Sequence, residues 1–192
     1  MKIWHPEILP ELIVIEPDVF KDDRGRFLET FQAKRYLENG IPEHFVQDNV
    51  SYSGKGVIRG LHYQLGCPQG KFIWVAQGQI YDVAVDIRRG SSTFGKWVGV
   101  VLSSEEHRQV YIPEGFAHGF CVKSETAIVV YKCTDYYAPK EERGVRWDDP
   151  LLNIAWPVDN PIVSKKDQAF GALQNIPDED LPVFEGKERT EC

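Results

Sequence analysis

Tyr81-Asp82-Val83-Ala84-Val85-Asp86-Ile87 alternates: Tyr81, Val83, Val85 and Ile87 share one side, while Asp82, Ala84 and Asp86 share the other. That is period 2, which predicts a β-strand with one buried face. Outward from it, residues 12–15, 26–31, 72–76, 97–102, 109–112 and 126–133 are short runs rich in β-branched and aromatic side chains. Turn formers bound most of them, among them Gln77-Gly78, Arg89-Gly90-Ser91-Ser92 and Pro113-Glu114-Gly115. Helical signal is sparse: residues 32–39 read as a short helix stopped by Gly40, and 103–107 as a helical turn in a loop. Many short strands with frequent turns predict an all-β fold, a jelly-roll barrel or sandwich with a few short helices.

A chain of 192 residues suits one domain with its own core. We expect that domain over residues 1–176, with an acidic, proline-broken tail over 177–192 lying as a surface arm or frayed end. Residues 150–161, with three prolines and Trp156, read as a fixed loop wrapping the barrel. A net charge of −7 argues against nucleic acid or an anionic membrane as partner, yet leaves room for a local basic pocket that takes a phosphorylated small molecule. The longest run without Asp, Glu, Lys or Arg is 60–70, too short for a membrane span. The first six residues lack the apolar stretch of a signal peptide, and four scattered cysteines predict reduced thiols in a cytoplasmic protein.

Chemistry-bearing residues concentrate in Arg59-Gly60-Leu61-His62-Tyr63-Gln64, followed by Gln69-Gly70-Lys71. On an extended segment Gly60, His62 and Gln64 share a face, and two cations flanking an imidazole suit an anionic ligand that undergoes proton transfer. A surface strand with an incidental histidine is the competing reading. The second cluster, Pro113-Glu114-Gly115-Phe116-Ala117-His118-Gly119-Phe120, resembles a half-motif of the cupin barrel. Cupins that hold a metal offer, in the earlier half-motif, two histidines one residue apart plus a glutamate. Here His62-Tyr63-Gln64 supplies one histidine, so we expect neither metal nor other cofactor; a set rebuilt from His62, His118, Cys67 and Cys121 is the alternative.

These blocks, with Tyr131-Lys132-Cys133-Thr134-Asp135-Tyr136-Tyr137, resemble the dTDP-4-dehydrorhamnose 3,5-epimerase family of metal-free cupins. So do Asp22-Asp23-Arg24-Gly25-Arg26-Phe27-Leu28-Glu29, Phe45-Val46-Gln47-Asp48-Asn49, Trp147-Asp148-Asp149-Pro150 and Ser164-Lys165-Lys166-Asp167. The resemblance covers roughly residues 10–170. It implies inversion of C3 and/or C5 of a nucleoside-diphosphate-4-keto-6-deoxyhexose, in deoxysugar biosynthesis for cell-surface polysaccharide, by a homodimer whose N-terminal strands swap between subunits. His62 then resembles the base, Asp167 the carboxylate orienting it, Tyr131 the opposed acid, and Lys71 the holder of the enolate oxygen, supported by His118. Arg24 and Arg59 resemble pyrophosphate clamps, with Lys166 as a further phosphate contact. Phe27, Glu29, Gln47, Asn49 and Tyr137 resemble residues that stack on or hydrogen-bond the base and sugar. One departure is Trp74, which stands near the nucleotide side where a cation is common. Neighbouring readings are a 3-only or 5-only epimerase on a TDP- or CDP-sugar, a sugar 3,4-ketoisomerase, a metal-dependent cupin and a non-catalytic carbohydrate-binding barrel.

Overall fold

The computed structural model describes residues 1–185. Its strands run β1 (Lys2–Trp4), β2 (Ile13–Glu16), β3 (Val19–Asp22), β4 (Gly25–Leu28), β5 (Gln47–Gly54), β6 (Val57–Gln64), β7 (Lys71–Gln77), β8 (Gln79–Asp86), β9 (Trp97–Ser103), β10 (Gln109–Ile112), β11 (Phe116–Val122), β12 (Thr126–Cys133), β13 (Glu142–Gly144) and β14 (Ile162–Val163). Helix α1 (Ala33–Leu37) precedes β5, and α2 (Lys165–Gln168) follows β14. One sheet has the order β1-β2-β10-β7-β12-β5 and the other β13-β6-β11-β8-β9, with β14 parallel to β6. Strands β5 to β8 alternate between the sheets, as do β9 to β12, so the expected all-β, jelly-roll architecture of cupin type holds. Among the described residues, no helix is long and apolar enough to cross a membrane.

The space between the sheets is filled by Val14, Ile73, Val75, Ile80, Ala84, Val110, Phe120 and Val129, all at most 4% exposed. Each large aliphatic among them contributes about 1.5–3 kcal/mol by leaving water. Strand β8 departs from the half-buried expectation, because both its faces are covered. Val83, Val85 and Ile87 pack outward beneath Val145, Leu152, Leu173 and Leu181. Ile80 and Ala84 face the interior, where Asp82 stands 2% exposed. The wrapping loop foreseen for residues 150–161 forms part of this cover, since Trp97 donates its indole N–H to the Leu152 carbonyl at 2.7 Å.

The other sheet carries its own outer cluster of Ile13, Ile15, Tyr36, Ile41, Phe72 and Tyr111. Tyr36 comes from α1, shorter than expected and capped by the Gln32 side chain, which accepts from Arg35 N at 2.7 Å. Trp74 packs against this same cluster. On β7 it lies on the face opposite Lys71, Ile73 and Val75, and so is turned away from the interior.

Among the described residues, strands β3 and β4 pair only with each other, as a hairpin outside both sheets. The acidic tail lies against the barrel as far as residue 185. Arg89 N donates to the Pro182 carbonyl at 2.8 Å and Phe184 N to the Arg89 carbonyl at 2.9 Å. The Arg88 guanidinium sits 4.2 Å from the Phe116 ring centre and 4.9 Å from that of Phe184. The remainder of the expected tail, 186–192, lies outside the described residues.

Candidate active site

The register of β11 on β6 sets His118 directly opposite His62. What permits this pairing is a close approach of two glycines. A Cβ on Gly60 would come within 2.5 Å of the Gly119 Cα, and one on Gly119 within 2.7 Å of the Arg59 carbonyl oxygen. Gly60 also holds φ +123°, a conformation that side chains strongly disfavour.

Each histidine leans on a carboxylate. His62 Nε2 is 2.9 Å from Asp167 Oδ1, and Gly60 N donates to Asp167 Oδ2 at 3.1 Å. Asp167 is 3% exposed and reaches β6 from α2, whose N-cap Ser164 accepts from Asp167 N. Burial opposes the charge of Asp167, but the His62 ring, the Gly60 N–H and Ser164 outweigh it and hold the carboxyl below its usual range. An ionised carboxylate only accepts, so Nε2 of His62 carries a proton. Its Nδ1 lone pair is then available to a substrate whenever the ring is neutral. The Phe170 ring stands edge-on to His62 at 5.8 Å, in space left by Gly144, where a Cβ would collide with it at 2.3 Å.

His118 Nε2 is 2.8 Å from Asp82 Oδ2, and this pair is more deeply enclosed, at 8% and 2% exposure. Burial lowers the His118 pKa, with help from the charges of Lys71 and His62 and against the pull of Asp82. A neutral His118 whose Nε2–H is given to Asp82 offers Nδ1 as an acceptor, which suits a hydroxyl rather than an oxyanion.

Both histidines look into a two-lobed cavity between the sheets. One lobe, of about 270 Å³, is bounded by Gln47, Asn49, Gln64, Gln69 and Cys133; the other, of about 230 Å³, by Ser51, Arg59, His118 and Phe120. His62, Lys71, Tyr131, Tyr137 and Glu142 border both. His62 belongs to one sheet, and Lys71 and Tyr131 to the other. Burial pulls the Lys71 pKa down, against Cys133, Asp82 and Glu142, and pushes the Tyr131 phenol up. A lysine N–H donor facing the cavity suits a developing oxyanion, and Tyr131 stays protonated.

The cavity therefore gathers His62, Lys71, Tyr131, His118, Gln47, Asn49, Arg59 and Tyr137, with Asp167 behind His62. Lys166 reaches the rim through Glu142, which accepts from Lys166 Nζ at 2.6 Å and from the Tyr137 hydroxyl at 2.5 Å. Arg24, Phe27 and Glu29 do not join it. Arg24 is 91% exposed by side chain and paired with Asp22, and Phe27 is 69% exposed. Glu29 pairs with Arg35 beside the hairpin. Reading the sequence missed Glu142, Asp82 and Ser51. Asp82 carried a signal, as a charged residue inside a strongly apolar strand; Glu142, in Glu141-Glu142-Arg143, carried none. Among the described residues, no group of three or more His, Cys, Asp or Glu side chains is arranged to hold a metal ion, so the set from His62, His118, Cys67 and Cys121 does not assemble.

An imidazole–carboxylate pair with a half-buried phenol and lysine around one cavity of a cupin-type barrel points to the class, an isomerase built for proton removal and return. The sequence model of dTDP-4-dehydrorhamnose 3,5-epimerases matches residues 7–175, and the chain belongs to that family. It is 55% identical over 169 residues to the dTDP-4-dehydrorhamnose 3,5-epimerase of Shigella flexneri, covering 87% of this chain and 93% of that protein. To the enzyme of that name from Methanothermobacter thermautotrophicus it is 51% identical over 168 residues, covering 86% and 91%. The crystal structure of dTDP-6-deoxy-D-glucose-3,5-epimerase from Legionella pneumophila, in complex with dTDP-4-keto-L-rhamnose, superposes with a TM-score of 0.93 at 52% identity, covering 96% of this chain and 99% of that one.

Proposed function

We propose that this chain inverts C3 and C5 of a dTDP-4-keto-6-deoxyhexose, in the route to dTDP-rhamnose-type deoxysugars for cell-surface polysaccharide. The observation that carries this reading is that His62 and Tyr131 border the same cavity from opposite sheets, with Lys71 beside them. In the proposed cycle Nδ1 of His62 removes the proton α to the C4 ketone and Asp167 stabilises the imidazolium. The electrons move onto the ketone oxygen, where Lys71 meets the enolate. A single well-placed donor of this kind lowers the barrier by about 3–4 kcal/mol. Tyr131 returns a proton to the carbon from the other face, and Nδ1 of neutral His118 holds a neighbouring sugar hydroxyl. Arg59 takes the diphosphate, while Gln47, Asn49, Tyr137 and Lys166 hold the sugar and nucleotide.

We further propose a homodimer in which the β3–β4 hairpin brings Arg24, Phe27 and Glu29 to the partner's cavity. Its support is that these residues miss their own cavity while Phe20 and Phe27 stand 65% and 69% exposed on the hairpin. Val50 and Tyr52, 70% and 66% exposed on edge strand β5, give a second apolar surface for the same contact. Operation in the cytoplasm agrees with the thiols of Cys67, Cys121 and Cys133, which form no disulfide among the described residues.

The test is incubation with dTDP-4-keto-6-deoxyglucose and with its CDP counterpart in D₂O, following deuterium at each ring carbon. Exchange at C3 and C5 of the dTDP sugar is expected. Exchange at one carbon only, or with the CDP sugar alone, would overturn the assignment, and a ketone moved to C3 would indicate an isomerase of another kind.

A further inference from the structure

His62 stands in a row of three across its sheet, with His118 of β11 on one side and Gly144 of β13 on the other. Residues paired directly across antiparallel strands project to the same face, so a side chain at 144 would stand beside the imidazole. Position 144 supplies none, and the Phe170 ring fills the gap: a Cβ there would lie 2.3 Å from Phe170 Cε2 and 2.5 Å from Cδ2. Phe170 meets the imidazole at 5.8 Å between ring centres, with the two planes at 75°. It arrives on the segment that brings Asp167, so a single turn of chain delivers both the acceptor for Nε2 and the ring beside the imidazole. Just past β13, Arg146 N donates to the Gly171 carbonyl at 3.0 Å and ties that segment down. The described residues that line the two lobes do not include Phe170, so its influence on the chemistry passes through His62.

We propose that Phe170 is a positioning residue for the proton-removing step, a wall against the imidazole that fixes its plane and aims Nδ1 of His62 at the carbon acid. The inference rests on the epimerase reading above. The bond to Asp167 holds one atom of a ring whose side chain is 28% exposed, and a single hydrogen bond tolerates a tilt of some tens of degrees. A ring packed across the imidazole does not. Aim matters because proton transfer needs the base within reach of the carbon and in line with it. Gly144 serves the same end by leaving the seat that Phe170 occupies.

The experiment uses full-length wild type, Phe170→Ala, Phe170→Leu and Gly144→Ala, and repeats Phe170→Ala in an Asp167→Ala background. It reads kcat, KM and solvent deuterium incorporation on dTDP-4-keto-6-deoxyglucose, with dTDP affinity by calorimetry. Phe170→Ala is expected to lower kcat and deuterium incorporation about tenfold, the upper end for a perpendicular aromatic pair, with KM and dTDP affinity unchanged. Phe170→Leu, which restores bulk beside the imidazole, is expected to recover most of the loss. Gly144→Ala, which drives the ring from its seat, is expected to reproduce it. Without the Asp167 hydrogen bond the imidazole is misaimed whether or not Phe170 is present, so there Phe170→Ala is expected to cost less than about twofold more. A loss of roughly tenfold in that background too, or KM and dTDP affinity weakening in step with kcat, would make Phe170 structural and overturn the assignment. So would a kcat for Phe170→Ala equal to that of the wild type. A wild type that leaves the dTDP sugar unexchanged would overturn the epimerase reading, and this inference with it.

Discussion

His62 with Asp167 and His118 with Asp82 are the same two functional groups at nearly the same distance, on residues that face each other across two strands. Their surroundings separate them. The His62 side chain is 28% exposed and its carboxylate arrives from outside the sheets, on α2. The His118 side chain is 9% exposed and its carboxylate belongs to the next strand of its own sheet. Reach and hydration, more than the identity of the pair, are what the proposed division of labour rests on, with His62 as base and His118 as hydroxyl acceptor.

Replacing His62 by Ala tests the division hardest. Turnover and solvent deuterium incorporation at C3 and C5 are expected to fall about 10⁴-fold, near the upper end for general-base catalysis. Near-native exchange in that variant would transfer the base to the other pair. Asp167→Asn keeps the shape but removes the charge that steadies the imidazolium, and a drop in kcat of about 10³-fold is expected. Tyr131→Phe is expected to lose inversion while retaining much of the proton removal, seen as washed-in deuterium without epimer; equal losses would end its assignment as the acid.

Acid titration of stability sharpens the contrast further. The His118 pKa is depressed, so below about pH 6.5 the unfolded chain binds a proton that the folded chain refuses, and stability falls with pH from there. The Asp167 pKa is also depressed, so its contribution is present above about pH 3.9 and is lost as pH falls through the folded value. Urea midpoints from pH 3 to 8, as ~unit steps, should show His118→Gln flattening the upper decline and Asp167→Asn the lower. A wild type that gains stability on acidification through the upper window would mean a charged His118. The smallest effect is mechanical: Gly60→Ala, forced against Gly119, is expected to cost about 1–3 kcal/mol in chemical denaturation by parting β6 from β11.

The strands of the barrel were legible wherever apolar side chains faced a core, as at Gln79–Asp86 and Thr126–Cys133. Strand β5 was not, because its inward residues Gln47, Asn49, Ser51 and Ser53 are polar and its outward Val50 and Tyr52 are exposed, inverting the usual pattern. That inversion is itself the mark of a site, where local rules yield to function. Strand β8 misled for a related reason: Asp82 and Asp86 imply a wet face, yet one meets His118 and the other is held by Arg88, Ser91 and Thr93. Resemblance brought His62, Lys71, Tyr131 and Asp167 to notice as a set. It could not show that Arg24, Phe27 and Glu29 sit apart on a hairpin, since separation in space leaves no trace in the order of residues.

Asp167 meets His62 across 105 positions of chain, carried on a helix of four residues that follows the short parallel strand β14. The barrel strands precede it, so the dyad closes only after all of them have been made. A nascent or prematurely terminated chain that ends before Ser164 keeps its imidazole without an acceptor. In the proposed cycle, such a fragment lacks the carboxylate that steadies the imidazolium.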